Sequence, residues 1–115
     1  METILARQPV ANDINYWFDR DGFLTEPHLW NQEVAERTAL EDGISLLTPK
    51  HWQVIEYVRG RYFENGSLPV MRLVCRANGL DRQKAHKLFG SCKSLWRVAG
   101  LPNPGEEANA YMSPF

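Results

Sequence analysis

Two cysteines are the residues of this chain best suited to covalent chemistry, and their sequence contexts differ. Cys75 falls on the apolar side of a predicted helix, so we interpret it as a core thiol. Cys92 follows Gly90-Ser91 and precedes Lys93, which places it in the first turn of a predicted helix beside a cation. Both features lower the pKa of a thiol and favour the thiolate. Cys92 is therefore the candidate thiol, and the alternative is a small residue packed one turn before Trp96.

Other arrangements that support catalysis or cofactor binding are missing from the sequence. The cysteines and histidines are scattered, without the CxxC or HxxxH pairs that set tetrahedral zinc geometry. No GxxxxGK[ST] or GxGxxG phosphate loop is present. Acidic residues are frequent, but their spacing alone assigns no general acid or base. We therefore expect no metal, no cofactor and no small-molecule substrate.

Basic residues are concentrated in one third of the chain. The 115 residues carry a formal net charge of −1, yet residues 1–69 carry a net charge of −5 and residues 70–100 a net charge of +6. This asymmetry favours an anionic partner for the basic third, although that third could instead face the acidic remainder within one fold. The candidate partner-binding or DNA-binding residues are Arg72, Arg76, Arg82, Lys84, Lys87, Lys93 and Arg97.

Capping residues and apolar spacing predict a series of helices after an N-terminal β-hairpin. The hairpin is predicted from aromatic residues on either side of Asp19-Arg20-Asp21-Gly22, with Ile4-Leu5-Ala6 as a further pairing segment. One helix begins after Asn31 and ends near Asp42. A longer one begins at Thr48-Pro49, ends near Glu64 and is predicted to be the central, most buried helix. Its apolar residues are Trp52, Val54, Ile55, Tyr57, Val58, Tyr62 and Phe63.

The basic third has the outline of a helix-turn-helix. A helix opened by Pro69 is followed by the break Asn78-Gly79-Leu80 and by a short helix capped by Asp81. A last helix carries Cys92 to Ala99. The helix after Asp81 would present Arg82, Lys84 and Lys87 to phosphates or guanine edges, so a DNA-binding regulator is one functional alternative.

Length and composition bound the remaining choices. A chain of 115 residues forms one domain, and no apolar run approaches the roughly 20 residues that span a bilayer. The N-terminus lacks the apolar core of a secretory signal, and two cysteines do not make a disulfide scaffold. We expect a cytoplasmic protein with a single domain over residues 1–104 and an extended or mobile tail over residues 105–115.

A series of short motifs runs in order from about residue 12 to residue 104. The most specific are Thr48-Pro49-Lys50-His51-Trp52 and Ala99-Gly100-Leu101-Pro102-Asn103-Pro104. The others are Asp21-Gly22-Phe23-Leu24, Trp30, Glu41-Asp42-Gly43-Ile44, Tyr57-Val58-Arg59, Pro69, Arg72 and Leu88-Phe89. Together they resemble the DsrC/TusE family of sulfur-trafficking proteins.

The resemblance implies a small, predominantly α-helical α+β fold, an orthogonal helical bundle with an N-terminal β-hairpin and a helix-turn-helix-like portion. In that family, cysteine persulfides or trisulfides pass sulfur to sulfurtransferases of the TusBCD/DsrEFH kind or to dissimilatory sulfite reductase. The family's relay cysteines lie on the C-terminal arm and just before the Ala-Gly-Leu-Pro motif. In this chain Glu107 and Trp96 occupy these two positions, and neither a carboxylate nor an indole can carry sulfane sulfur.

The departures from the family pattern lead to three functional hypotheses. The first is a non-catalytic, regulatory DsrC/TusE-like protein that docks on sulfurtransferase or sulfite-reductase-type partners and is not an enzyme. The second is the helix-turn-helix DNA-binding regulator. The third is a sulfur carrier or enzyme that uses Cys92 in place of the lost relay cysteines.

Overall fold

The computed structural model describes residues 15–66, 70–105 and 108, and this part of the chain is helical. We number its helices α1 (Gln32–Glu41), α2 (Pro49–Asn65), α3 (Met71–Ala77), α4 (Arg82–Phe89) and α5 (Cys92–Val98). Single turns of 3-10 helix lie at Asn15–Trp17 and Pro27–Leu29. Among the described residues no helix is both long and apolar enough to cross a membrane.

Side-chain caps begin four of the five helices, three of them at residues that the sequence predicts as caps. The Asn31 side chain accepts a hydrogen bond from the Val34 amide at 2.9 Å, and Asp81 accepts one from the Lys84 amide at 2.8 Å. Such caps satisfy amides that have no partner inside the helix. Thr48 caps α2 and Ser91 caps α5 in the same way. Pro69, the predicted start of the third helix, lies outside the described residues, and α3 follows Val70.

The predicted N-terminal β-hairpin is not supported by the structure, because the described residues contain almost no strand. Its turn forms, because the Gly22 amide donates to the Asp19 carbonyl at 3.0 Å and Gly22 takes a φ of 88°. In the described residues the flanking segments pair only through an antiparallel bridge between Phe18 and Leu24. The Asp19 amide donates to the Phe23 carbonyl at 2.8 Å and the Thr25 amide to the Trp17 carbonyl at 2.7 Å, so backbone pairing is confined to the residues beside this bridge. The Asp19 carboxylate also accepts the amides of Asp21 and Phe23, which closes the turn. Ile4-Leu5-Ala6 lies outside the described residues.

The hydrophobic core lies between α2 and α5, with contributions from every other described helix. From α2 it takes Val54, Ile55 and Val58, and from α5 it takes Leu95, Trp96 and Val98. The buried apolar face of α2 is narrower than the sequence predicts, because Phe63 is 57% exposed. The other core residues are Phe23, Ala35, Ala39, Val74, Phe89, Ala99 and Leu101. Ala99 and Leu101 directly follow α5 and belong to this core, so the core positions the segment after α5.

Candidate functional site

Trp96, which the sequence comparison with the family pattern predicts to stand at one of the two relay positions, is part of the core. Its side chain is 1% exposed, and its ring meets Tyr62 edge-on at 5.8 Å between centroids. Its indole Nε1 donates to the Pro102 carbonyl at 2.7 Å. The indole therefore fixes the start of the C-terminal arm, which we define as the residues from Leu101 onward. A buried, hydrogen-bonded indole offers no atom for sulfur transfer.

The side chains of Trp30 and Arg59 bind the backbone just before the arm. The Trp30 indole Nε1 donates to the Val98 carbonyl at 2.9 Å, and one terminal nitrogen of Arg59 donates to the Ala99 carbonyl at 2.7 Å. The Arg59 guanidinium lies 4.1 Å from the Trp30 ring centroid, in cation–π geometry. Burial lowers the pKa of Arg59, but guanidinium remains charged in proteins. The end of α5 is thus fixed from two directions.

The arm is also tied to the turn at the beginning of the described chain. The Asn103 side-chain nitrogen donates to carboxylate oxygens of Asp19 at 3.1 Å and Asp21 at 2.9 Å. The Asn103 side-chain oxygen accepts the Gly105 amide at 2.8 Å. Asn103 therefore connects two segments at opposite ends of the sequence.

Arg97 belongs to this internal network. Its Nε donates to the Gly22 carbonyl at 2.8 Å, and its terminal nitrogens bond Glu41 at 2.9 Å and also Asp42. Only 13% of its side chain is exposed. Of the seven predicted basic partner-binding residues, Arg97 is the one whose structural surroundings remove it from a binding surface.

The other six predicted basic residues are exposed. None of them makes an ion pair with a carboxylate of the described residues. Lys93 differs from the rest because its amine lies 5.7 Å from the ring of Phe23. We define the basic face as the exposed cations of the two short helices α3 and α4, which are Arg72, Arg76, Arg82, Lys84 and Lys87.

The candidate thiol Cys92 does not have the lowered pKa that its position in the sequence predicts. Burial raises the pKa of Cys92, and the charge of Cys75 adds to the rise, while a backbone hydrogen bond opposes it. The Lys93 amine lies over the Phe23 ring, 5.7 Å from its centroid. Burial likewise raises the pKa of Cys75, with a further contribution from Asp81. Both cysteines are free and partly buried, and neither is poised as a thiolate.

Alkylation should report this raised pKa directly. In a Cys75→Ser variant, where Cys92 is the single thiol, we expect iodoacetamide to react more slowly at pH 8 than with free cysteine. A raised pKa leaves less thiolate at any pH below it, so the rate should continue to rise at pH values where free cysteine has levelled off. Unfolding in guanidinium should restore ordinary reactivity. A folded protein that reacts faster than free cysteine would contradict the expectation.

His51 has a structural role in the Thr-Pro-Lys-His-Trp motif. Its Nδ1 accepts the Thr48 amide at 3.0 Å, and its Nε2 donates to the Leu88 carbonyl at 2.8 Å, which is the ring tautomer these partners require. In the same motif the Lys50 amine donates to the Asn78 carbonyl at 2.5 Å. The motif therefore joins the start of α2 to the ends of α3 and α4.

Several residues at the base of the arm are not selected by sequence reasoning. The sequence predicts Tyr62 only as a core residue, and it includes Arg59 and Asn103 only as members of the family motifs. The sequence does contain one indication for Arg59: it lies within one helical turn of the apolar residues of α2. A cation so close to the core needs buried hydrogen-bond acceptors. Glu107, at the other predicted relay position, lies outside the described residues. Within the described ranges no three His, Cys, Asp or Glu side chains come together as a metal site.

Comparison with known proteins gives a consistent match. Residues 10–106 match the family model described as DsrC like protein. Sulfurtransferase TusE of Escherichia coli K12 is 35% identical over 95 residues, covering 75% of this chain and 86% of its own length. The gamma subunit of dissimilatory-type sulfite reductase from Nitratidesulfovibrio vulgaris is 33% identical over 88 residues, covering 75% and 84%.

Solved structures agree with this assignment. The oxidized gamma subunit of dissimilatory sulfite reductase, DsrC, from Archaeoglobus fulgidus superimposes with a TM-score of 0.69 at 33% identity, over 77% of this chain and 89% of that one. A chain of dissimilatory sulfite reductase I gives a TM-score of 0.72 at 28% identity, over 76% and 86%. The family model and these relatives show that the chain belongs to the DsrC family.

Proposed function

We propose that this protein is a non-carrier member of the DsrC/TusE family, which docks on a sulfur-relay or sulfite-reductase-type partner in a regulatory role. The observation that carries the proposal is Trp96, a buried indole at a relay position. The sequence places Glu107 at the other. The scaffold is kept, but the thiols that would carry sulfur are replaced, so the protein acts by binding and not as an enzyme.

Cys92 does not restore the lost chemistry in this proposal. It is partly buried and its raised pKa leaves little thiolate near neutral pH. A persulfide carrier needs a thiolate that can attack a sulfane sulfur and a partner able to reach the product. Cys92 meets the first requirement poorly, so a carrier function through this residue is the weaker candidate.

Sulfur loading tests the absence of a carrier function. The protein is incubated with a persulfidated cysteine desulfurase and then analysed by intact mass spectrometry, with E. coli TusE as the positive control. We expect no gain of a sulfur atom on this chain under conditions that load TusE. A stable one-sulfur adduct that is lost in Cys92→Ser, and that passes to a sulfurtransferase, would overturn the proposal.

The basic face is the docking surface we propose. Its cations lie on two consecutive helices and make no ion pair with an acidic residue among the described residues. Exposed charges of one sign attract and orient a surface of opposite sign. The proposed partner therefore presents acidic residues to α3 and α4.

Charge reversal tests the docking surface. We expect Arg82→Glu with Lys87→Glu to weaken capture of a purified TusBCD-type sulfurtransferase complex by roughly tenfold or more, and the loss should grow smaller as salt is raised. The matched control is Arg61→Glu, which reverses an exposed cation on α2, where Arg61 pairs with Glu64. Equal weakening by the control would exclude a specific role for the basic face.

DNA binding is the second candidate, because α4 exposes Arg82, Lys84 and Lys87 after a turn that begins at Asn78. The same variants distinguish it. A mobility shift of duplex DNA at low salt that disappears in Arg82→Glu with Lys87→Glu would favour DNA. Capture of the sulfurtransferase complex without a DNA shift would favour the docking function.

A further inference from the structure

Exposed apolar side chains lie beside the cations of α3. Val70, which directly precedes α3, is 54% exposed, and Leu73 is 46% exposed. The Leu73 amide donates to the Val70 carbonyl at 3.0 Å, so both residues belong to the first turn of the helix. Ala77 is also exposed and lies one turn after Leu73 on the same side of α3. We call Val70, Leu73 and Ala77 the apolar stripe.

Two arginines border the apolar stripe. Arg72 and Arg76 are four positions apart, so they share one side of α3 and follow one edge of the stripe. Both are exposed, and neither makes an ion pair with a carboxylate of the described residues. This part of the basic face therefore offers apolar contact and positive charge side by side.

This combination favours a protein partner over DNA. Contacts with DNA are made mostly to phosphates, and an aliphatic side chain gains nothing from a phosphate. Protein interfaces instead bury apolar side chains inside a polar rim, and arginine is enriched in them. Val70 and Leu73 contribute to binding only where a partner removes them from water.

We propose that the basic face binds an acidic amphipathic helix of a partner protein. The apolar side chains of that helix pack on the apolar stripe, and its carboxylates lie beside Arg72 and Arg76. A helix is the complementary element because its apolar residues recur every three or four positions, which matches the spacing along α3. The inference rests on the docking function proposed above and adds the form of the segment that docks.

Titration of the full chain with a designed peptide tests the proposal. The probe is a peptide of about 18 residues, long enough to form a helix, with leucine at every third or fourth position and glutamate and alanine between. A peptide of the same composition in scrambled order is its control. We expect the probe to shift the NMR amide resonances of α3, and the scrambled peptide to leave them in place. No shift in α3, or equal shifts with both peptides, would overturn the proposal.

Alanine variants test the apolar stripe itself. Val70→Ala with Leu73→Ala should weaken binding of the probe about tenfold. This ratio should persist as salt is raised, because salt screens charge and not apolar contact. The matched control is Leu40→Ala with Leu46→Ala, which truncates two leucines that are 63% and 72% exposed and lie outside α3 and α4. No weakening in the first double variant, or equal weakening in both, would overturn the proposal.

Failure of this inference is distinguishable from failure of the docking function. Capture of the sulfurtransferase complex tests the function, whereas the designed peptide tests the form of the docking segment. Capture of the complex without binding of the peptide would overturn the inference and leave the function in place. Binding of the peptide without capture of the complex would do the reverse. Duplex DNA bound by this face, with no binding of the peptide, would also overturn the inference.

Discussion

Replacing Trp96 with alanine is expected to lower the free energy of unfolding by about 4 kcal/mol, because it empties the largest fully buried side chain of the core. The substitution also removes the indole donor from the Pro102 carbonyl. For a domain of this size the loss corresponds to a fall in Tm of roughly 15 °C. Urea unfolding followed by circular dichroism measures the change.

Trp96→Phe separates the two contributions. Phenylalanine keeps much of the ring volume but has no N–H, so the Pro102 carbonyl loses its donor, at a cost of roughly 1–2 kcal/mol. We expect its stability to lie between that of the wild-type protein and Trp96→Ala. If Trp96→Ala unfolded with nearly wild-type stability, the indole would not be a core residue, and the interpretation of this relay position would be wrong.

Gly100→Ala is expected to destabilise the fold by about 3 kcal/mol or more. Gly100 has a φ of 70°, which costs an L-amino acid roughly 1–2 kcal/mol. A Cβ at this position would also overlap the Trp30 ring, whose indole holds the Val98 carbonyl. Either the ring moves and its hydrogen bond breaks, or the turn after α5 is distorted. Thermal unfolding and urea denaturation of the variant, each compared with the wild-type protein, measure the loss of stability.

Gly43→Ala is the matched control for this effect. Gly43 also has a positive φ, of 86°, but a Cβ there meets no atom within 4 Å. We expect Gly43→Ala to cost about 1 kcal/mol, which reports the backbone term alone. The difference between the two variants then measures the steric conflict with Trp30. Equal losses would mean that Trp30 adapts without cost.

The helices could be predicted from the sequence because their signals are local. Asn31, Thr48, Asp81 and Ser91 cap helices through contacts to residues three positions away. The family could be recognised for a related reason, since the Ala-Gly-Leu-Pro motif and the Thr-Pro-Lys-His-Trp motif keep their order and spacing. The local signals locate the elements, and the motifs locate the base of the arm.

The predictions for the hairpin and for the candidate site were less accurate, because these regions are determined by contacts that the sequence pattern does not show. The turn at Asp19 forms, but the described residues beside it pair only through the bridge between Phe18 and Leu24, and Phe23 and Leu24 are buried. The pKa of Cys92 follows from how much of α5 is buried, which outweighs the helix terminus on which the sequence prediction depended. Arg97 looks like one more surface cation until the fold brings Gly22 and Asp42 to it.

The bonds from Asn103 to Asp19 and from Arg97 to Gly22 have a consequence for the order in which the protein folds. They join residues that are 84 and 75 positions apart in the sequence. Each bond closes a long loop, and because the entropy cost of closing a long loop is large, we expect these bonds to form late in folding. During synthesis the turn at Asp19 leaves the ribosome long before Arg97 and Asn103, the residues that bond to it. The turn at Asp19 therefore gains both bonds only once α5 and the first residues of the arm have left the ribosome, and a nascent chain that stalls before Arg97 has neither of them.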